Sequence, residues 1–244
     1  MMGRVARTGL VLLLICGGLL IWEVLVPTIL VALRPGLPEF SLYAIDKLGF
    51  AVALALVLTA GRLWRRCGFA DGVSARSWGL LWPLWLITAL SAIQGFADPD
   101  AGSLLGWLAI SAAIGFGEEG VFRGLVIAAL GPDQPRRAVL VSSLLFGLLH
   151  LAGLLAPVDY RYILAQAVAA CCLGLVLGSV RLLAGSIWPG IIAHTAIDFF
   201  GLAAAGSVMN AMDFSIATLI ALLGSAIVSL VWGTVLWRRL PRSA

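Results

Sequence analysis

Residues 104–130 of the chain, LLGWLAISAAIGFGEEGVFRGLVIAAL, are apolar except for Ser111 and three ionisable side chains, Glu118, Glu119 and Arg123. A stretch of this length can cross a bilayer as a helix, which needs about 20 residues. A carboxylate or guanidinium at the centre of such a helix costs roughly 2.5–3.5 kcal/mol on insertion scales, so it normally faces a protein interior or a wet cavity and marks function. We therefore expect a membrane helix that carries part of a functional site.

The rest of the chain repeats this apolar pattern. The composition is 61% hydrophobic and 11% charged, and the mean hydropathy is +1.06, outside the range of soluble globular domains. The sequence predicts an all-α polytopic membrane protein, a single membrane domain over residues 1–244 built as a bundle of about eight transmembrane helices. The eight apolar stretches lie at about 9–33, 41–61, 77–96, 104–130, 138–157, 163–183, 187–208 and 214–237.

The cations predict the orientation of the bundle. With the N-terminus in the cytoplasm, twelve arginines fall on the cytoplasmic side, and only Arg34, Lys47 and Arg161 fall outside. This asymmetry follows the positive-inside rule and predicts that both termini are cytoplasmic and that the protein lies in the cell membrane. The first stretch is longer than a signal-peptide core and lacks a convincing small-residue cleavage site, so we expect it to remain as an anchor. The net charge of +4 then reflects topology, and we expect no nucleic-acid partner.

Three further ionisable side chains lie in later apolar stretches, and they include both histidines of the chain. His150 is in the fifth stretch, and His194 and Asp198 are in the seventh. At about 1.5 Å rise per residue, these groups and Glu118 lie at heights of roughly 10–18 Å above the inner boundary, so they could meet. This depth suggests that a substrate enters from the cytoplasm or from the inner leaflet.

Spacing within each helix separates the roles of these groups. Glu119 and Arg123 are four residues apart and share a face, so they form a neutralised pair, and His194 and Asp198 share a face in the same way. Glu118 is rotated by about 100° from Glu119 and needs a partner from another helix. His150 is the obvious candidate.

Such a set of groups contains the parts of a hydrolase. A carboxylate beside a histidine in a wet pocket can activate water, and a second histidine with a polar neighbour can donate hydrogen bonds to an oxyanion. The alternative is a buried polar network that only fixes helix packing. Glu23, in the first stretch, has no motif around it and is expected to be a packing or edge residue. The four cysteines show no ligand-like spacing, so they indicate no metal site.

Three short motifs carry a family resemblance. Residues 118–123 (EEGVFR) resemble an EExxxR motif, residues 146–150 (FGLLH) an FxxxH motif and residues 194–198 (HTAID) the HxxxN/D motif of the CPBP family, the CAAX proteases and bacteriocin-processing enzymes. Their order and separation also resemble that family over residues 104–205, the catalytic core.

The resemblance implies an intramembrane glutamic endopeptidase with an eight-helix fold and no cofactor or metal. By motif position, Glu118 would activate water with His150, and His194 and Asp198 would correspond to the oxyanion-stabilising pair. Glu119 and Arg123 would complete the site. The eukaryotic CAAX endopeptidases that the chain resembles have asparagine at the position of Asp198. An ionised Asp198 would repel a developing oxyanion, so this carboxyl is expected either to be protonated or to orient His194. Expected partners are membrane lipids and a peptide or protein substrate, which could be lipidated or membrane-bound.

Three other functions remain open from the sequence. Two histidines and two glutamates are also plausible zinc ligands of a membrane metalloprotease, although no HExxH motif is present. Buried acids and histidines also mark transporters and proton relays, although we find no inverted repeat. A non-catalytic scaffold or immunity protein could use the same fold.

Overall fold

The computed structural model describes residues 4–131 and 133–242, and within these ranges all regular structure is helical. The α-helices are α1 (Arg4–Leu33), α2 (Glu39–Ala60), α3 (Ala75–Leu80), α4 (Trp82–Ala92), α5 (Ala101–Glu119), α6 (Ile127–Leu130), α7 (Pro135–His150), α8 (Tyr160–Ala184), α9 (Trp188–Ala205), α10 (Val208–Ala211) and α11 (Ile216–Arg239). A π-helix (Gly120–Val126) joins α5 to α6, and a 3₁₀-helix (Leu151–Leu155) extends α7.

Each of the eight predicted stretches is largely helical, but not all of them are regular. The third is divided between α3 and α4, with Pro83 in the first turn of α4, where a missing N–H is tolerated. Within the described residues, five helices are long and apolar enough to cross a membrane: Thr8–Leu33, Glu39–Ala60, Pro135–Leu155, Tyr160–Ala184 and Ile216–Arg239. The all-α, multi-pass architecture is confirmed, whereas the count of eight and the orientation of the termini stay predictions.

The outer surface of the bundle is apolar. Large side chains on the outer helices are mostly exposed, for example Leu13 (71%), Leu56 (65%) and Ile227 (64%). Exposed apolar area on this scale marks a surface that contacts another apolar phase, here the lipid.

Glycines allow close helix packing in the interior. A Cβ atom at Gly178 of α8 would lie 3.2 Å from Val139 of α7, and one at Gly174 would lie 2.9 Å from the backbone of Ser143. In lipid, small residues at this spacing let helix backbones approach. They pack α8 closely against α7.

The loops at one end of the bundle, which we call the basic end, are tied together by hydrogen bonds. Arg136 Nε donates to the carbonyl of Leu240 at 2.9 Å, and Ser186 Oγ donates to the carbonyl of Asp71 at 3.0 Å. Ten arginines and two aspartates belong to this end: Arg62, Arg65, Arg66, Arg76, Arg136, Arg137, Arg181, Arg238, Arg239 and Arg242, with Asp71 and Asp133.

The opposite end, which we call the acidic end, joins the segments that follow α1, α4, α7 and α9. The N–H of Ala97 donates to the carbonyl of Ala203 at 3.0 Å, and the N–H of Met209 donates to Glu39 Oε1 at 3.0 Å. This end carries five acidic residues and two arginines: Glu39, Asp98, Asp100, Asp159 and Asp213, with Arg34 and Arg161.

Candidate active site

Glu119 joins two helices through its carboxylate. Its Oε1 atom lies 3.0 Å from Nη1 of Arg123, one turn further along the chain, and 2.9 Å from Nδ1 of His194 on α9. The side chains of Glu119 and Arg123 are completely buried. The predicted Glu119–Arg123 pair is therefore present, and it also fixes the ring of His194.

The ring of Phe146 packs against both histidines and against the buried guanidinium. Its centroid lies 4.2 Å from Cζ of Arg123, which is cation–π distance, and 4.9 and 5.8 Å from the imidazoles of His150 and His194. Phe146 is 1% exposed. One aromatic side chain on α7 thus positions groups from three segments.

The second nitrogen of His194 lies between two carboxylates. Its Nε2 atom is 3.7 Å from Oε2 of Glu118 and 3.5 Å from Oδ2 of Asp198. Glu118 and Asp198 are partly exposed (side chains 17% and 25%), whereas Glu119 is not exposed at all. The two adjacent glutamates therefore differ as their helical rotation predicts: Glu119 contacts Nδ1 of the ring and Glu118 lies near Nε2.

His150 is oriented by its own helix. Its Nδ1 atom lies 2.9 Å from the carbonyl oxygen of Phe146. A carbonyl only accepts, so Nδ1 carries the hydrogen and Nε2 of the neutral ring is left as an acceptor. The imidazole that lies within 4 Å of Glu118 is that of His194, and His150 lines the same cavity as Glu118.

A cavity of about 380 Å³ collects these groups. Glu118, His150, His194 and Asp198 all line it, so the structure brings together the four predicted catalytic residues. The other polar groups on the lining include Tyr43 and Tyr162, which the sequence analysis missed because a tyrosine in an apolar helix carries no motif. Much of the remaining lining is apolar or small: Ile87, Ile114, Ala169, Ala170, Leu173, Ile197, Ala221 and Leu222.

Glu23 is not on this lining and belongs to a second ionic cluster, between α1 and α2. Its carboxylate lies 2.8 Å from Nζ of Lys47, which also lies 3.0 Å from Asp46, and Trp22 donates to Asp46 at 2.9 Å. The sequence assigns Lys47 to the outer side of the membrane but does not predict its burial, and the residue is only 8% exposed.

The π-helix begins directly after Glu119 and was not predicted. A Cβ atom at Gly120 would lie 2.5 Å from Leu54, and one at Gly124 would lie 3.1 Å from Cβ of Cys67. Both glycines lie inside the π-helix, and the wider turn lets them pack closely against α2 and the loop that follows it. π-helical turns are rare and occur frequently at functional sites.

Metal coordination has no evident donor set in the part of the chain that the structure describes. Within residues 4–131 and 133–242, no group of three or more His, Cys, Asp or Glu side chains has an arrangement that could hold a metal ion. Oε1 of Glu119 is already engaged by Nδ1 of His194 and by Nη1 of Arg123.

The comparison with known families agrees with the geometry. Residues 100–200 match the family described as Rce1-like, type II CAAX prenyl endopeptidase. The matched segment contains all six predicted site residues, from Glu118 to Asp198. No curated protein and no solved structure matches the chain. The chain is a multi-pass membrane protein, and over residues 100–200 it is similar to the CAAX-type intramembrane proteases of the CPBP family.

Proposed function

We propose that the protein is an intramembrane glutamic endopeptidase, which hydrolyses a peptide bond of a hydrophobic or membrane-associated peptide or protein in the cell membrane. One observation carries this proposal: two carboxylates and two imidazoles from three separate helices line a single cavity. An arrangement that only fixed helix packing would have no reason to leave Glu118 and Asp198 facing open space.

The first step is the activation of water. Glu118 and His150 line the same cavity, and the hydrogen bond to Phe146 leaves Nε2 of His150 free to accept a proton. A water molecule held between these two groups gives up its proton as its oxygen attacks the substrate carbonyl. The same proton is then delivered to the leaving amine as the C–N bond breaks.

The second step is the stabilisation of the oxyanion. With Nδ1 of His194 donating to Glu119, the ring presents Nε2 to the cavity. An N–H at Nε2 can donate to the oxygen on which negative charge develops, and preorganised donors of this kind contribute strongly to acyl transfer. The buried ion pair of Glu119 and Arg123 holds the ring in place.

Asp198 acts on His194 in this proposal. Its carboxylate lies 3.5 Å from Nε2, one turn along the same helix. An ionised carboxylate would repel the oxyanion, so its contribution is to orient the imidazole.

The test replaces Glu118 by Gln, which keeps the shape of the side chain and removes the base. We expect membrane preparations that contain Glu118→Gln to accumulate uncleaved peptides that the unchanged protein removes, as detected by comparing membrane peptidomes. Glu39→Gln is the matched control, because Glu39 lies at the acidic end and accepts a hydrogen bond from the N–H of Met209, which Gln can also accept.

Three outcomes separate this proposal from its rivals. Unchanged proteolysis in Glu118→Gln would rule out the mechanism, and full biological function of that variant would favour a scaffold. Loss of activity on strong chelation, reversed by zinc, would favour the metalloprotease.

A further inference from the structure

The cavity extends from the middle of the bundle to one end of it. Beyond Glu118 and His194, its lining continues to Tyr162 in the first turn of α8, Thr218 in the first turn of α11 and Met212 just after α10. These three residues lie next to the segments that form the acidic end. In the described part of the chain, no lining residue comes from the loops of the basic end.

Packed side chains close the opposite direction. Between the ionisable groups and the basic end lie Phe122 (1% exposed), Val126 (0%) and Ile187 (1%), which pack in one hydrophobic cluster with Leu58 and others. One polar group beside them is bonded internally, since Ser142 Oγ donates to the carbonyl of Phe122 at 2.8 Å. Side chains packed in this way leave little room for water between the ionisable groups and the basic end.

Charge assigns a compartment to each end. Ten arginines against two aspartates mark the basic end as cytoplasmic by the positive-inside rule. Several carboxylates of the acidic end are used locally: Asp100 caps α5 by accepting from the N–H groups of Gly102 and Ser103, and Asp159 caps α8. Capping explains these acids without a bound ligand. Because they outnumber the arginines of this end, the acidic end carries no excess of positive charge.

We infer that the cavity opens to the extracytoplasmic face, and hence that the peptide bonds it cleaves lie in segments exposed on that face. The inference about cleavage rests on the proposed function, whereas the sidedness of the cavity does not. The substrate must then be supplied by a reaction that inserts or transports a peptide across the membrane. This reverses the expectation of cytoplasmic access, because the heights of the ionisable groups do not reveal which side of them is packed.

The test measures from which side a charged reagent reaches the cavity. In the full-length protein with its four cysteines replaced by alanine, Ala169→Cys places a thiol on the cavity lining, and Val168→Cys places one on the adjacent exposed face of α8. A membrane-impermeant cationic methanethiosulfonate is added to right-side-out and inside-out vesicles. We expect Ala169→Cys to react about tenfold faster or more than Val168→Cys in right-side-out vesicles, because the reagent attacks a thiolate, which needs water.

Equal rates at the two positions, or reaction of Ala169→Cys only in inside-out vesicles, would overturn the inference. Labelling requires no activity, so its outcome is independent of the Glu118→Gln test. Labelling from the cytoplasmic side together with an inactive Glu118→Gln would contradict the inferred sidedness but not the mechanism. Labelling from the extracytoplasmic side together with an active Glu118→Gln would contradict the mechanism but not the sidedness.

Discussion

Nδ1 of His194 and Oε1 of Glu119, 75 positions apart in the sequence, lie 2.9 Å from one another. The same oxygen lies 3.0 Å from Arg123. A carboxylate that is completely buried therefore has two tasks: it neutralises a guanidinium on its own helix and fixes the tautomer of an imidazole on another. Both tasks make the interior sensitive to single substitutions.

Glu119→Gln is expected to destabilise the fold as well as impair activity. It leaves the buried guanidinium of Arg123 without an anion, and breaking a buried pair costs about 3–5 kcal/mol. The free energy of unfolding in detergent, measured by denaturant titration, checks this value. The double variant Glu119→Gln with Arg123→Met removes both charges, so it should recover much of the stability but not the activity. If the single and the double variant are equally stable, the unpaired guanidinium of Arg123 is not what destabilises Glu119→Gln.

Asp198→Asn is expected to keep activity, because the amide of asparagine can still contact and orient the ring of His194. Asp198→Leu removes the contact of this side chain to Nε2 and should lower kcat about 10²–10³-fold, the usual effect of losing a preorganised group beside an oxyanion. Both variants should unfold at the temperature of the unchanged protein. An inactive Asp198→Asn with an intact fold would show that a carboxylate takes a direct part in the proton transfers.

Gly115→Ala tests the contact between α5 and α9. The added Cβ would lie 2.6 Å from Oγ1 of Thr195 and 3.0 Å from the carbonyl of Ile191, so the helices must move apart. Overpacking of this kind costs about 1–3 kcal/mol, and it should also lower kcat because His194 moves away from Glu119. Gly224→Ala is the matched control, since nothing lies within 4 Å of its added Cβ, and it should be neutral or slightly stabilising. Equal melting temperatures for the two variants would contradict the close approach.

Lys47→Met tests the second ionic cluster. It leaves Glu23 and Asp46 facing one another without the cation that lies within 3.0 Å of both, and we expect a loss of about 3–5 kcal/mol. Lys47→Arg keeps the charge and should lose less. Because none of these three residues lines the cavity, activity at a temperature where Lys47→Met is folded should be unchanged. A large fall in kcat under those conditions would instead connect the cluster to catalysis.

Cys67 supplies a pH-dependent prediction outside the membrane-spanning helices. Burial raises the pKa of this thiol, although the charges of Arg181 and Arg66 act in the opposite direction. The unfolded chain then loses the thiol proton at lower pH than the folded chain, so stability falls as the pH rises through the ordinary range of a thiol. In a variant that retains only this cysteine, a water-soluble maleimide should react slowly before unfolding and rapidly after it. Rapid reaction of the folded protein at neutral pH would contradict the burial.

Much of this architecture follows from the sequence because composition and hydrophobic length dictate helices in lipid. The ionisable site residues could be predicted from the same physics, since a charged group inside an apolar stretch is costly in lipid and therefore indicates a functional site. The π-helix after Glu119 could not be predicted, because it depends on how Gly120 and Gly124 pack against residues far away in the chain. The burial of Lys47 was missed for a similar reason, as its partner Glu23 lies on another helix.

The pairing of Glu118 shows the same limit. Helical rotation predicts that this side chain turns away from Glu119, but it does not decide which of two histidines comes within 4 Å. The position of His194 is set by the contact between α5 and α9, where Gly115 allows the helices to approach. The sequence predicts that Glu118 and the two histidines lie at similar depth, and tertiary packing determines which histidine lies next to Glu118.

The packed layer of Phe122, Val126 and Ile187 beneath the ionisable groups has a consequence for the cell as a whole. A water-filled channel lined by ionisable side chains and open on both sides of the bilayer would conduct protons and dissipate the electrochemical gradient. If the cavity ends at this packed layer, as we infer, acid–base chemistry can take place deep in the membrane without a proton leak across it.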